Sequence, residues 1–72
     1  MMKRYLAHRV IVDDIDYGMS IITINDDYSM SVEPYEAEIH STRFINGVLT
    51  VITLTPGQPP LLFANGKPLP LD

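Results

Sequence analysis

Val48-Leu49-Thr50-Val51-Ile52-Thr53-Leu54 is the stretch that decides the fold. It is dominated by β-branched side chains, carries no charge and contains no proline. Residues of this kind suit a pleated, half-buried surface. A run this apolar on a sheet edge is a template for aggregation, so its place is the interior of a sheet. Asn46-Gly47 stands directly before it. That dipeptide is a strong two-residue hairpin signal, because both residues accept positive φ. The expectation is a short strand at residues 42–46, a turn, and a long strand at residues 48–55.

Toward the C-terminus, Thr55-Pro56-Gly57-Gln58-Pro59-Pro60 reads as a loop. Residues 61–64 and 67–71 flank a second Asn-Gly pair, Asn65-Gly66, and form an expected final hairpin. Pro68 and Pro70 lie two apart, so their nitrogens, which lack a proton, face the same side of the strand. Only an edge strand tolerates this.

Toward the N-terminus, residues 4–12 are expected as the first strand. Strict alternation puts Leu6, His8, Val10 and Val12 on one face and Tyr5, Ala7, Arg9 and Ile11 on the other. Asp13-Asp14-Ile15-Asp16-Tyr17-Gly18 reads as a turn. A second strand at residues 19–25 and the tight connection Asn25-Asp26-Asp27 follow. In the third strand, residues 28–33, Tyr28, Met30 and Val32 are expected to face the core, and Ser29, Ser31 and Glu33 to face water. Pro34 ends that strand, and residues 35–41 are expected as an edge segment. No segment shows helical periodicity with caps. The predicted fold is a single all-β domain over residues 1–72: a small antiparallel sheet, or a partly open β-sandwich or barrel, of about six to seven short strands.

A chain of 72 residues buries only about 60% of the surface its unfolded form exposes. Chains of this size often add disulfides, a metal or a partner subunit. The absence of cysteine excludes disulfides and thiolate-held zinc. The net charge of −4 disfavours nucleic acid, whose binding rests on neutralising phosphates with Lys and Arg. Lys3, Arg4 and Arg9 lie near the N-terminus, and eight of the nine acids fall between Asp13 and Glu38. Met1-Met2-Lys3-Arg4 resembles the basic start of a signal peptide, but His8 and Arg9 interrupt the apolar run behind it. No apolar run approaches the roughly 20 residues of a membrane helix.

The residues capable of chemistry do not compose a site in sequence. His8 and His40 lie far apart, and a metal centre would need them to converge with carboxylates such as Asp13, Glu36 or Glu38. Asp13-Asp14-Ile15-Asp16 with Gly18 invites comparison with a calcium loop, but Ile24 stands where the twelfth-position glutamate would be. Glu38, His40 and Ser41 are the residue types of a triad, yet His40 and Ser41 point to opposite faces of an extended segment. The four glycines are isolated and make no phosphate loop. Of Tyr5, Tyr17, Tyr28 and Tyr35, Tyr28 is expected in the core and the others as half-buried packing.

Residues 4–49 carry a further pattern: a strand, an acidic turn with glycine, a second strand leading to Asn-Asp-Asp, then Val32-Glu33-Pro34-Tyr35-Glu36, Glu38-Ile39-His40-Ser41-Thr42 and Phe44-Ile45-Asn46-Gly47-Val48-Leu49. This resembles the N-terminal accessory β segment of metal-dependent amidohydrolases, which implies a β-sandwich-like domain beside a catalytic barrel. In that family the strand after Asn-Gly leads into Pro-Gly and then a metal-binding His-x-His pair. Here Thr50-Val51-Ile52 stands instead, no His-x-His follows, and the barrel is absent. No catalytic residue of the family has a counterpart.

The sequence thus predicts a non-catalytic β module with no catalytic, cofactor-binding or metal-ligating residues. Its expected partner is another protein or a second copy of itself in the cytoplasm, with no nucleic acid and no membrane. The alternative is an accessory or ligand-binding β domain working with an amidohydrolase-like enzyme.

Overall fold

The computed structural model describes residues 2–35 and 41–71. It is all-β, with seven strands: β1 (Lys3–Val12), β2 (Ile15–Asp16), β3 (Ser20–Ile24), β4 (Met30–Pro34), β5 (Arg43–Ile52), β6 (Leu61–Ala64) and β7 (Lys67–Pro68). They form one open sheet in the order β4-β3-β1-β5-β6-β7, with β2 paired to β1. The expected edge segment at residues 35–41 falls almost wholly outside the described residues.

All pairings are antiparallel except the central one, where β1 and β5 run parallel. That pairing changes the role of Asn46-Gly47. The two residues do not turn the chain, and residues 42–46 and 48–55 are not two hairpin strands. Arg43–Ile52 is one continuous strand, and Asn46 and Gly47 together oppose the single residue His8 as a β-bulge. Asn65-Gly66 does make the expected hairpin, with φ of +52° and +81°.

The bulge accompanies a change of phase in β1. Tyr5, Ala7 and Val10 are buried in the core with Val12 packed against it, while consecutive His8 and Arg9 are both exposed. The strict alternation expected for residues 4–12 therefore fails at the bulge. Val10 and Val12 share the core with Tyr5 and Ala7, and Leu6 is buried outside that cluster.

The core also takes Ile22 and Ile24 from β3, Ile45, Leu49 and Val51 from β5, and Leu62 from β6. Met30 and Val32 of β4 pack against it, as do Leu69 and Leu71 beyond β7. Strands at opposite ends of the sheet thus share one core, so the sheet coils over its own concave face. Tyr28 and Met30 accordingly line a cavity of about 310 Å³ together with Leu54 and Pro60 from the β5–β6 connection. Tyr28 itself is exposed, in a turn with φ of +67°, and β4 starts only at Met30; Tyr5 is the buried tyrosine.

Val48 to Ile52 lies between β1 and β6, in the sheet interior as its composition requires. β7 is an edge, also as expected. The Leu69 amide donates to the Leu62 carbonyl at 2.8 Å, so the nitrogens of Pro68 and Pro70 face away from β6. At the other edge, Asn25 N donates to Ser29 O at 2.8 Å, which sets the β3–β4 phase and turns the nitrogen of Pro34 outward too.

Candidate interaction face

The convex side of β1, β5 and β6 carries exposed apolar side chains that share a register. Along β5 the core takes Leu49 and Val51, which directs Val48, Thr50 and Ile52 outward. Ile11 and Phe63 flank Thr50 on β1 and β6, and Leu61 lies opposite Ile52. Ile52 is 41% exposed and Leu61 46% exposed; Ile11, Val48 and Phe63 are half-buried. Leu54, 47% exposed, follows the end of β5 and lines the cavity it shares with Tyr28 and Met30. A groove of about 590 Å³ runs around the β6–β7 edge, lined by Leu54, Leu61 and Phe63 together with the core-side Leu69 and Leu71.

Charged side chains flank this face on its β1–β2 side. Arg9 donates from Nε to Asp16 Oδ2 at 3.0 Å and pairs through Nη2 with the same oxygen. Asp16 Oδ1 also accepts the Gly18 amide at 2.8 Å. The hydrogen bond to Arg9, then that to the Gly18 amide, holds the Asp16 carboxyl below the usual carboxylate range. Beyond the end of β5, Asp13 accepts the Thr53 amide and the Thr53 hydroxyl, which lowers its pKa by the same means. The acidic turn that invited a calcium reading thus uses Asp13 and Asp16 to join strands and close the turn.

The remaining candidates separate. His8 accepts the Gly47 amide on Nδ1 at 3.1 Å and meets the Phe44 ring edge-on at 5.2 Å. Glu36, Glu38 and His40 lie outside the described residues, so the triad reading has only Ser41 to place, in an exposed position with φ of +53°. Among the described residues no three of His, Cys, Asp and Glu converge as metal ligands. Among the described residues no helix is long and apolar enough to cross a membrane. The exposed face escaped sequence reasoning because placing the Val48–Leu54 run inside the sheet does not say whether both faces of that strand are covered. Only the register Ile52↔Leu61 reveals an uncovered apolar pair.

Comparison with protein-family models, curated proteins and solved structures found no match.

Proposed function

We propose that this chain is a non-catalytic binding module that works through protein contact, with a second copy of itself as the occupant of the convex face. The observation that carries this reading is the exposed pair Ile52 and Leu61, flanked by Ile11, Val48 and Phe63. Contiguous apolar surface rimmed by charge is characteristic of interaction sites. Outward-facing proline nitrogens at both sheet edges disfavour strand addition and leave side-chain packing across a face as the mode of contact. The total accessible surface is 4710 Å², so a standard interface of about 800 Å² per partner would cover roughly a sixth of it. The cysteine-free composition supports a cytoplasmic setting.

Analytical ultracentrifugation across the micromolar range tests the reading. The expected result is a concentration-dependent dimer that Ile52→Lys abolishes and Ser31→Lys, on another strand, leaves intact. A strict monomer at all concentrations overturns self-association.

The strand-and-turn pattern over residues 4–49 supports a second reading, in which the partner is an amidohydrolase-like enzyme that this chain serves as an accessory β domain. Co-purification with such an enzyme supports it, and failure of the two to associate counts against it.

A further inference from the structure

The parallel pairing of β1 and β5 brings the starts of both strands to one end of the sheet, where Tyr5 lies beside Arg43. It thereby gathers cations that are distant in sequence. Lys3, Arg4 and Arg43, three of the five Lys and Arg residues, line one cleft of about 190 Å³ with Met2, Tyr5 and Ser41. The other two are elsewhere: Arg9 is paired with Asp16, and Lys67 is on β7. Asp26 and Asp27 line a separate cleft on the other side of Met2. Arg4 already has an interaction within the chain, so Lys3 and Arg43 are the cations that the cleft offers to a ligand. Arg43 and Ser41 are exposed and Lys3 half-buried.

We propose that this cleft binds one oxyanion group, a phosphate or a carboxylate. In a chain of net charge −4, Lys3 and Arg43 on a single small concavity make a local positive field against the overall sign. Guanidinium and ammonium groups supply donors and no acceptors, and the fork of Arg43 matches the oxygens of either anion. The cleft is small and open to solvent, which admits a tetrahedral or planar anion with some of its hydration. The interaction is independent of the convex face, which lies beyond the bulge toward the opposite ends of β1 and β5.

Titration of the full chain with inorganic phosphate, and separately with acetate, tests this by NMR of the Lys3, Ser41 and Arg43 amides. Saturable shifts are expected, with affinity reduced about tenfold or more by Arg43→Gln and only partly by Arg43→Lys, which keeps the charge but loses the fork. Lys67→Gln removes the same charge far from the cleft and leaves the affinity unchanged. Lys3→Gln serves as the second variant if Arg43→Gln fails to fold. Tighter phosphate binding identifies a phosphate ligand, and equal or tighter acetate binding a carboxylate; both support the cleft. No saturable shift with either anion, or equal weakening by Lys67→Gln, overturns it.

Discussion

His8 and Gly47 face each other across the two central strands, with the Gly47 amide donating to His8 Nδ1 at 3.1 Å. On its other side the bulge is held by Asn65, whose Oδ1 accepts the Val48 amide at 2.9 Å and whose Nδ2 donates to the Asn46 carbonyl at 2.7 Å. One side chain from β1 and one from the β6–β7 turn therefore satisfy backbone groups that the bulge removes from the ladder.

This arrangement makes Gly47 irreplaceable in a way that other glycines are not. A Cβ at Gly47 would lie 2.0 Å from Asn65 Oδ1, at a φ of +119°. Gly57 also has positive φ, +84°, but a Cβ there meets nothing within 4 Å. Gly47→Ala is expected to cost about 2–4 kcal/mol, from strain plus displaced hydrogen bonds, and Gly57→Ala about 1 kcal/mol. Urea denaturation of the two variants checks the difference, and equal costs would refute the role given to Asn65.

Asn65 can be probed directly. Asn65→Gly keeps the positive φ of +52° at no steric cost but loses both bonds to the bulge. Its expected destabilisation is about 1–2 kcal/mol. Asn65→Asp keeps an acceptor for Val48 N and replaces the donor to Asn46 O with a repelling oxygen, so it does not restore wild-type stability. Thermal unfolding of both variants provides the measurement.

Acid should destabilise the fold through three carboxylates. Asp13, Asp16 and Asp27 are each held below their ordinary values, chiefly by side-chain hydrogen bonds from Thr53, Arg9 and Ser29 respectively. A carboxyl depressed in the folded state stabilises it fully above the unfolded pKa, and that contribution disappears as pH falls through the depressed value. Stability is therefore expected to lose these contributions as pH falls from about 4, the unfolded carboxyl range. Asp13→Asn should make the acid limb shallower, and an unchanged slope in chemical denaturation at pH 3 to 5 would remove Asp13 from the account.

The prolines at the β7 edge should protect the monomer from strand addition. Restoring outward amides with the double substitution Pro68→Ala and Pro70→Ala is expected to raise light scattering on prolonged incubation, while the wild type stays clear. The comparison is made at equal concentration below the unfolding temperature.

The two Asn-Gly pairs show what local sequence can and cannot decide. At Asn65-Gly66 both residues adopt positive φ, and the flanking strands pair with each other, as turn chemistry alone implies. At Asn46-Gly47 only glycine does so, because residues on both sides pair in parallel with β1. That outcome depends on a partner strand some forty residues earlier, which no short-range signal encodes. The same bulge lies beside the slip in phase between Ala7 and Val10, so the face assignment of β1 fails with it. The proline-marked edge and the interior position of Val48–Ile52 were legible, since each follows from backbone donors and apolar composition in the segment itself. The apolar residues of the convex face were visible as apolar, but their exposure is a property of the register between β5 and β6.

The parallel pair at the centre of the sheet also sets an order of events for a growing chain. β1 leaves the ribosome first, yet its partner on one side, β5, ends at Ile52. Until that strand has emerged, β1 to β4 hold only half a core, with Val10 and Ile22 lacking Leu49 and Val51. Closing so long a loop costs entropy before any contact across the centre rewards it. Chain fragments that stop short of β5 are therefore expected to remain unfolded, and the domain forms in one late, cooperative step.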